Sequence, residues 1–171
     1  MREVKGYLSN QFGFSETGRI ILEEKIKPKI REIGITINDP FEICGREINR
    51  EYLATLKSYD DIKKFWEGFS RKVTPINNKL MRDSDCQLAI LDGGPAIDDG
   101  VGSEIGYYAG IERGPIFALR SDFRLGENIS SPINPQIWGY IIQSRGVLAE
   151  GVDAMNKWFS AIKDWYDIFK Q

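Results

Sequence analysis

Apolar and polar positions fall into two rhythms along this 171-residue chain. Five short, largely apolar runs are bounded by glycine, proline or acidic residues: "VKGYLS", "GITIND", "CQLAIL", "GPIFALR" and "RGVLAE". Each has the length and flanks of a β-strand. "CQLAIL" is apolar almost throughout, the pattern of a strand buried on both faces of a parallel sheet. The intervening segments carry apolar residues at helical spacing. Ser15 reads as the N-cap of a helix that ends at Gly34, with Pro28 expected to kink or split it. A helix opening at Asp60 or Asp61 aligns Ile62, Phe65, Trp66 and Phe69. Pro75 is expected to interrupt it, with a second piece running on to Asp85. Further helices are predicted over residues 102–113 and 134–143, and from Asp153 onwards. The last of these stripes Met155, Trp158, Phe159, Ile162, Trp165, Tyr166 and Phe169 on one side, a core-facing pattern. "NQFGF" reads as a loop, as does the region of Cys44, and residues 44–56 follow neither rhythm clearly.

Strands alternating with helices imply an α/β fold, a doubly wound parallel sheet of five strands with flanking helices, flavodoxin- or Rossmann-like. The length suits one domain over residues 1–171. Ligands of such sheets bind outside the carboxyl ends of the strands. Here those ends are residues 9–14, 39–44, 92–102 and 120–124.

Composition then narrows the chemistry. The formal net charge is -2, without a clustered basic face, so no polymeric nucleic acid is expected as partner. No apolar stretch approaches about 20 residues and no signal-peptide pattern opens the chain, so a soluble cytoplasmic protein is expected, without a membrane role. The two cysteines form no CxxC pair; Cys86 reads as a core residue. Histidine is absent, which removes imidazole-based triads and the commonest metal ligand. Carboxylates become the leading acid, base or nucleophile.

One segment crowds them. In "LDGGPAIDDGVGSEIGYYAG" the third strand runs into Asp92, Asp98, Asp99 and Glu104 before an apolar segment resumes. Asp92 stands at the strand's carboxyl end. Gly93, Gly94, Gly100 and Gly102 allow a ligand close to the backbone. Glu104 is expected in the first turn of the next helix, where the dipole favours a negative charge by about 0.3–1 kcal/mol. Crowding pushes carboxyl pKa values apart, so one group serves as nucleophile while a neighbour holds a proton. The alternative is an ordinary solvated acidic loop with helix caps. The segment lacks GxGxxG and a Walker lysine, and is too acidic for a phosphate loop.

"DDGVGSEIGYYAG" closely resembles the centre of the nucleoside 2-deoxyribosyltransferase family, Asp-x-Gly-x-Gly-x-Glu opening a helix that continues Leu/Ile-Gly-Tyr-Ala. "GYLSNQFGFSE", "NNKLMRDSDCQLAILDG", "FALRSDFR" and "SPINPQIW" are similar to further family segments, whereas residues 44–69 match poorly. The resemblance implies that Glu104 is the nucleophile, that Asp98 contacts the base and manages its proton, and that Tyr7 positions the nucleophile or the sugar hydroxyls. It implies substrate contacts from Phe12, Asn77, Asp92 and Gly100. Asn77 falls where the family often has Asp; an amide contributes a hydrogen bond, not an acid. Asn134 and Gln136 would complete the pocket of a neighbouring subunit in a homo-oligomer, with Gln136 where many members have Met.

The activity so implied is transfer of 2-deoxyribose between nucleobases through a deoxyribosyl-glutamate, with slow hydrolysis as a side reaction. Its substrates are deoxynucleosides and free bases, and it needs no cofactor and no metal. Double displacement at one carbon through a carboxylate is the logic of retaining glycosidases, and it requires no histidine. Two alternatives stand beside it. One is an N-glycoside hydrolase of (deoxy)nucleoside 5′-monophosphates, which Asp98 and Asp99 disfavour by repelling phosphate. The other is a nucleotide-binding module without catalysis.

Overall fold

The computed structural model describes residues 2–94, 96–122 and 133–171. Strands β1 (Val4–Ser9), β2 (Ile35–Asn38), β3 (Cys86–Ile90), β4 (Ile116–Arg120) and β5 (Val147–Glu150) form one sheet in the order β2-β1-β3-β4-β5. Every pairing is parallel, so the doubly wound fold expected from the alternation is the one observed. The helices are α1 (Glu16–Ile21), α2 (Lys27–Ile33), α3 (Pro40–Gly45), α4 (Arg50–Thr55), α5 (Tyr59–Arg82), α6 (Asp99–Gly110), α7 (Pro135–Gln143) and α8 (Ala154–Phe169).

Strand alternation divides the core into two layers. Leu88 and Ile90 of β3 meet Ile26, Ile30, Trp158 and Ile162 on one face, whereas Ala89 and Leu91 meet Val101, Ile105, Tyr108 and Ile141 on the other. The α8 stripe is thus core, apart from its last member: Phe169 is 43% exposed. The Trp158 indole N–H donates to the Phe117 carbonyl at 2.9 Å, so this large ring is buried without an orphaned donor. Cys86 is buried in the sheet, as its apolar surroundings predict. Among the described residues no helix is long and apolar enough to cross a membrane.

Of the two prolines expected to disturb helices, Pro28 does mark a division of its helix and Pro75 does not. The Ser15 hydroxyl caps α1 by accepting from the Gly18 N–H, and Gly34, at φ 106°, ends α2. Between α1 and α2 the chain forms a π-helical turn, Leu22–Ile26, in which the Lys27 N–H reaches back to Leu22 O. That wider turn gives the Pro28 ring room where an α-turn would press it against the fourth carbonyl back. Pro75 does not interrupt α5, which runs unbroken for 24 residues. The Ser58 hydroxyl caps its start and Met81 is buried near its end. Edge-to-face contacts of Trp66 with Phe65 and Phe69 add support along its first half. The helix therefore tolerates one missing N–H donor. Cys44, expected in a loop, lies in α3, because Asp39 caps that helix and Pro40 starts it.

Asp39 also joins a charge cluster around the buried Lys27, in which Glu23 and Glu42 remain about half exposed. Lys27 is 1% exposed, and its ammonium contacts Asp39 and Glu42 at 2.6 Å each and also Glu23. These three carboxylates lie close enough together to hold a cation, and the lysine supplies it. Burial alone would lower the Lys27 pKa, but the hydrogen bonds from Asp39, Glu23 and Glu42 outweigh it and hold the group above its ordinary value. The Lys27 hydrogen bond in turn holds Glu42 below the usual carboxylate range. A depressed carboxylate contributes stability above its unfolded pKa, and that contribution is lost as pH falls through the folded value. Lys27→Met leaves the carboxylates unpaired, so urea unfolding at pH 7 should show a loss of about 3–5 kcal/mol. The loss should shrink as the pH is lowered into the carboxylate range.

Candidate active site

The strand order reverses between β1 and β3, and the cleft of a doubly wound sheet opens at such a switch point. A cavity of about 580 Å³ lies there. Asn10 beyond β1, Pro40, Phe41 and Cys44 of α3, Phe69, Val73 and Asn77 of α5, and Asp98, Gly100, Val101 and Glu104 around α6 line it. Phe14 and Arg19, on the segment after β1, complete the wall.

Glu104 is the convergence point. Tyr7 Oη donates to Glu104 Oε1 at 2.5 Å, and Asn77 Nδ2 donates to the same oxygen at 3.1 Å. The Ser9 hydroxyl donates to Oε2. Tyr7 and Ser9 are two apart in β1 and so leave the sheet on the same side, the α6 side. Asn77 is fixed in turn: Cys44 Sγ donates to its Oδ1 at 3.4 Å, which leaves the amide nitrogen for the carboxylate. Burial raises the Glu104 pKa above the usual carboxylate value, the nearby Asp98 charge adds to the rise, and the bonds from Ser9, Tyr7 and Asn77 oppose it. Burial pushes the Tyr7 phenol far upward, with the charge of Glu104 adding to it, so Tyr7 stays a donor across the working pH range.

The helix carrying Glu104 starts three residues earlier than the apolar pattern predicts. Asp98 is its N-cap, with Oδ1 accepting from the Val101 N–H at 3.1 Å. Glu104 therefore stands in the second turn, not the first, and the dipole acts mainly on Asp98 and Asp99. Hydrogen bonds, rather than the dipole, stabilise the Glu104 carboxylate. The cap leaves the second Asp98 oxygen at the cleft.

Tyr7, Asn77, Asp98, Gly100 and Glu104 thus come together, with Tyr7 buried behind Glu104 and the rest on the cleft wall. Asn77 meets the glutamate instead of standing free for a base. Asp92 is turned elsewhere. Its carboxylate accepts from the backbone N–H groups of Ser121 and Asp122, at 2.9 and 3.0 Å, and from the Ser121 hydroxyl, clasping the ends of β3 and β4. Phe12 packs against the core on the far face, and the aromatic that reaches the cleft from this turn is Phe14. Asn134 caps α7 by accepting from the Gln136 N–H, and both residues are exposed and are not among those lining this cleft. Residues 123–132, which include the end of "FALRSDFR" and the start of "SPINPQIW", lie outside those described.

Ser9, Cys44, Phe41 and Arg19 stand outside the set predicted from sequence. For Ser9 the signal is its spacing of two from Tyr7 in a strand. Phe41 and Cys44 lie in the strand-end segment 39–44, which marked the region but not the individual side chains, because that segment was read as a loop rather than as the helix α3. Gly13 shapes the aromatic wall: a Cβ there would lie 2.5 Å from the Phe41 ring. Its absence lets Phe41 seat against the backbone, edge-to-face with Phe14 at 4.8 Å.

The cleft of this α/β sheet thus holds a hydrogen-bonded carboxylate beside a wall of aromatic side chains. The sequence matches the nucleoside 2-deoxyribosyltransferase family over residues 7–148, and the chain belongs to that family. Among solved structures, the 2-desoxiribosyltransferase from Leishmania mexicana is similar over 78% of this chain and 85% of that one, at 14% identity and a TM-score of 0.47. No curated protein matches significantly.

Removing one donor exposes the balance at Glu104. Asn77→Ala should raise the glutamate's pKa further, because the charged form loses one of its hydrogen-bond donors. Carbon-13 titration of labelled glutamate would read this directly. An unmoved titration would mean that Asn77 does not support the carboxylate.

Proposed function

We propose that the protein transfers 2-deoxyribose from a deoxynucleoside to a free base through a covalent bond to Glu104. The supporting observation is the Glu104 carboxylate, presented to the cleft and held by three side-chain donors. Two donors occupy Oε1 and one occupies Oε2, so Oε2 keeps a lone pair for attack. In the first step Oε2 bonds to the anomeric carbon as the carbon–nitrogen bond breaks, and its electron pair leaves with the base. Asp98 relays a proton from water to the departing base through the oxygen not used in capping. In the second step a new base attacks the same carbon, returns its proton to Asp98 and frees the carboxylate. Two inversions give net retention. Water reaching the intermediate gives slow hydrolysis. Phe14, Phe41 and Phe69 offer flat apolar surface to a base. No step calls for a metal or an organic cofactor. In this reading a neighbouring copy of the chain contributes Asn134 and Gln136, which are exposed and not among the described residues lining their own cleft.

Incubation with deoxyinosine and a free base, with separation of the products, should show base exchange. Glu104→Ala should lower it by about 10³-fold or more with the fold intact. Mass spectrometry of the wild type quenched with donor alone should show one added deoxyribosyl group. A folded Glu104→Ala variant with near-normal exchange would overturn the assignment. Mixing inactive Glu104→Ala with inactive Asn134→Ala should restore part of the activity if sites are shared between copies, whereas an active monomer in sedimentation would refute the sharing.

A further inference from the structure

The polar groups of the cleft are nearly all committed within the protein. Asn10 donates to Leu8 O at 3.3 Å and accepts from the Gly13 N–H at 3.1 Å. Asn77 is held at both ends by Glu104 and Cys44. One Asp98 oxygen caps α6. What remains free is the other Asp98 oxygen and the guanidinium of Arg19. Arg19 is the sole lysine or arginine among the described residues lining the cleft, and it has no side-chain hydrogen bond or ion pair among them. It follows Phe14 by five residues on the same segment, and both line the cavity.

We infer that Arg19 makes this cleft select bases whose edge presents acceptors: oxo bases over amino bases. The inference rests on the transferase reading for the placement of a base against the aromatic wall. Its chemistry is that of a donor-only group. A guanidinium carries five N–H donors and no acceptor. Its fork matches the O6 and N7 acceptors of a 6-oxopurine. Adenine offers N7 but sets an amino donor where O6 would be. That arrangement leaves two donors facing each other, a larger loss than one missing bond. The same contrast separates 4-oxo from 4-amino pyrimidines. A 5′-phosphate is the less favoured partner for Arg19. No second cation lines the cleft among the described residues, and Asp98 and Asp99 bring negative charge to its rim.

The test compares kcat/KM for deoxyinosine and deoxyadenosine with one acceptor base, together with calorimetric binding of free hypoxanthine and adenine. The wild type should favour the oxo partner by about 10- to 100-fold, the discrimination a bidentate pair gives. Arg19→Met should remove most of that preference. Arg19→Gln should shift it toward adenine, because a carboxamide pairs with N6 and N7. Rescue of adenine by glutamine is a readout that lost packing would not produce. A preference unchanged in Arg19→Met would overturn the inference, as would equal losses for both bases or an effect confined to 5′-phosphorylated substrates. If no nucleoside is turned over, the transferase reading fails. The binding arm then still decides this inference, through the hypoxanthine-to-adenine ratio in the wild type and in Arg19→Gln.

Discussion

A carboxylate withdrawn from water must find hydrogen bonds inside the protein, and at Glu104 that demand organises the cleft. Burial disfavours its charge, and Asp98 adds to the penalty. Donors from β1 and α5 oppose both. An unsupported carboxyl there would hold its proton and lose nucleophilicity; one bonded at every lone pair would be inert. Three bonds for four lone pairs is the compromise observed. The sheet serves this end directly, since β1 supplies two donors from one face at the switch point.

The second requirement is a surface for a flat, uncharged group. Phe41 reaches the cleft only because α3 starts at the end of β2, capped by Asp39. Asp39 also belongs to the Lys27 cluster, so one residue couples that ion network to the position of the aromatic wall. Stability and substrate geometry are joined there rather than segregated.

Much of this was legible in the sequence. The strands showed in short apolar runs because a sheet covered on both faces excludes water from nearly every position. Asp98 and Glu104 were legible together because one local motif carries both, whereas Tyr7 was legible only through the resemblance of its own segment, "GYLSNQFGFSE". What the pattern could not show was long-range choice. Asp92 looks like a cleft residue from its place after β3, yet the unpaired N–H groups of Ser121 and Asp122 claim it. Asn77 looks like a base contact until Cys44, 33 residues away, is seen to orient its amide toward Glu104. The start of α6 was misplaced because glycines weaken the helical signal, while a side-chain cap decides the boundary.

The π-turn between α1 and α2 has a consequence for phase. Buried apolar positions along this rod recur at Gly18, Leu22, Ile26 and Ile30, always four apart. An α-helix advances about 100° per residue, so a four-residue repeat overshoots by about 40° each time and by about 120° at Ile30. A turn closed by the longer i→i+5 bond winds more slowly and takes back part of that drift. The buried stripe thus stays narrow from the cleft end of the rod to its far end. Deleting one residue from the turn would restore α winding and rotate one end against the other by about 100°. Either Ile30 would leave the core, or Arg19 and the Ser15 cap would swing away from the cleft. The extra residue works as a phase corrector between the core face and the cleft-lining end of one helical rod.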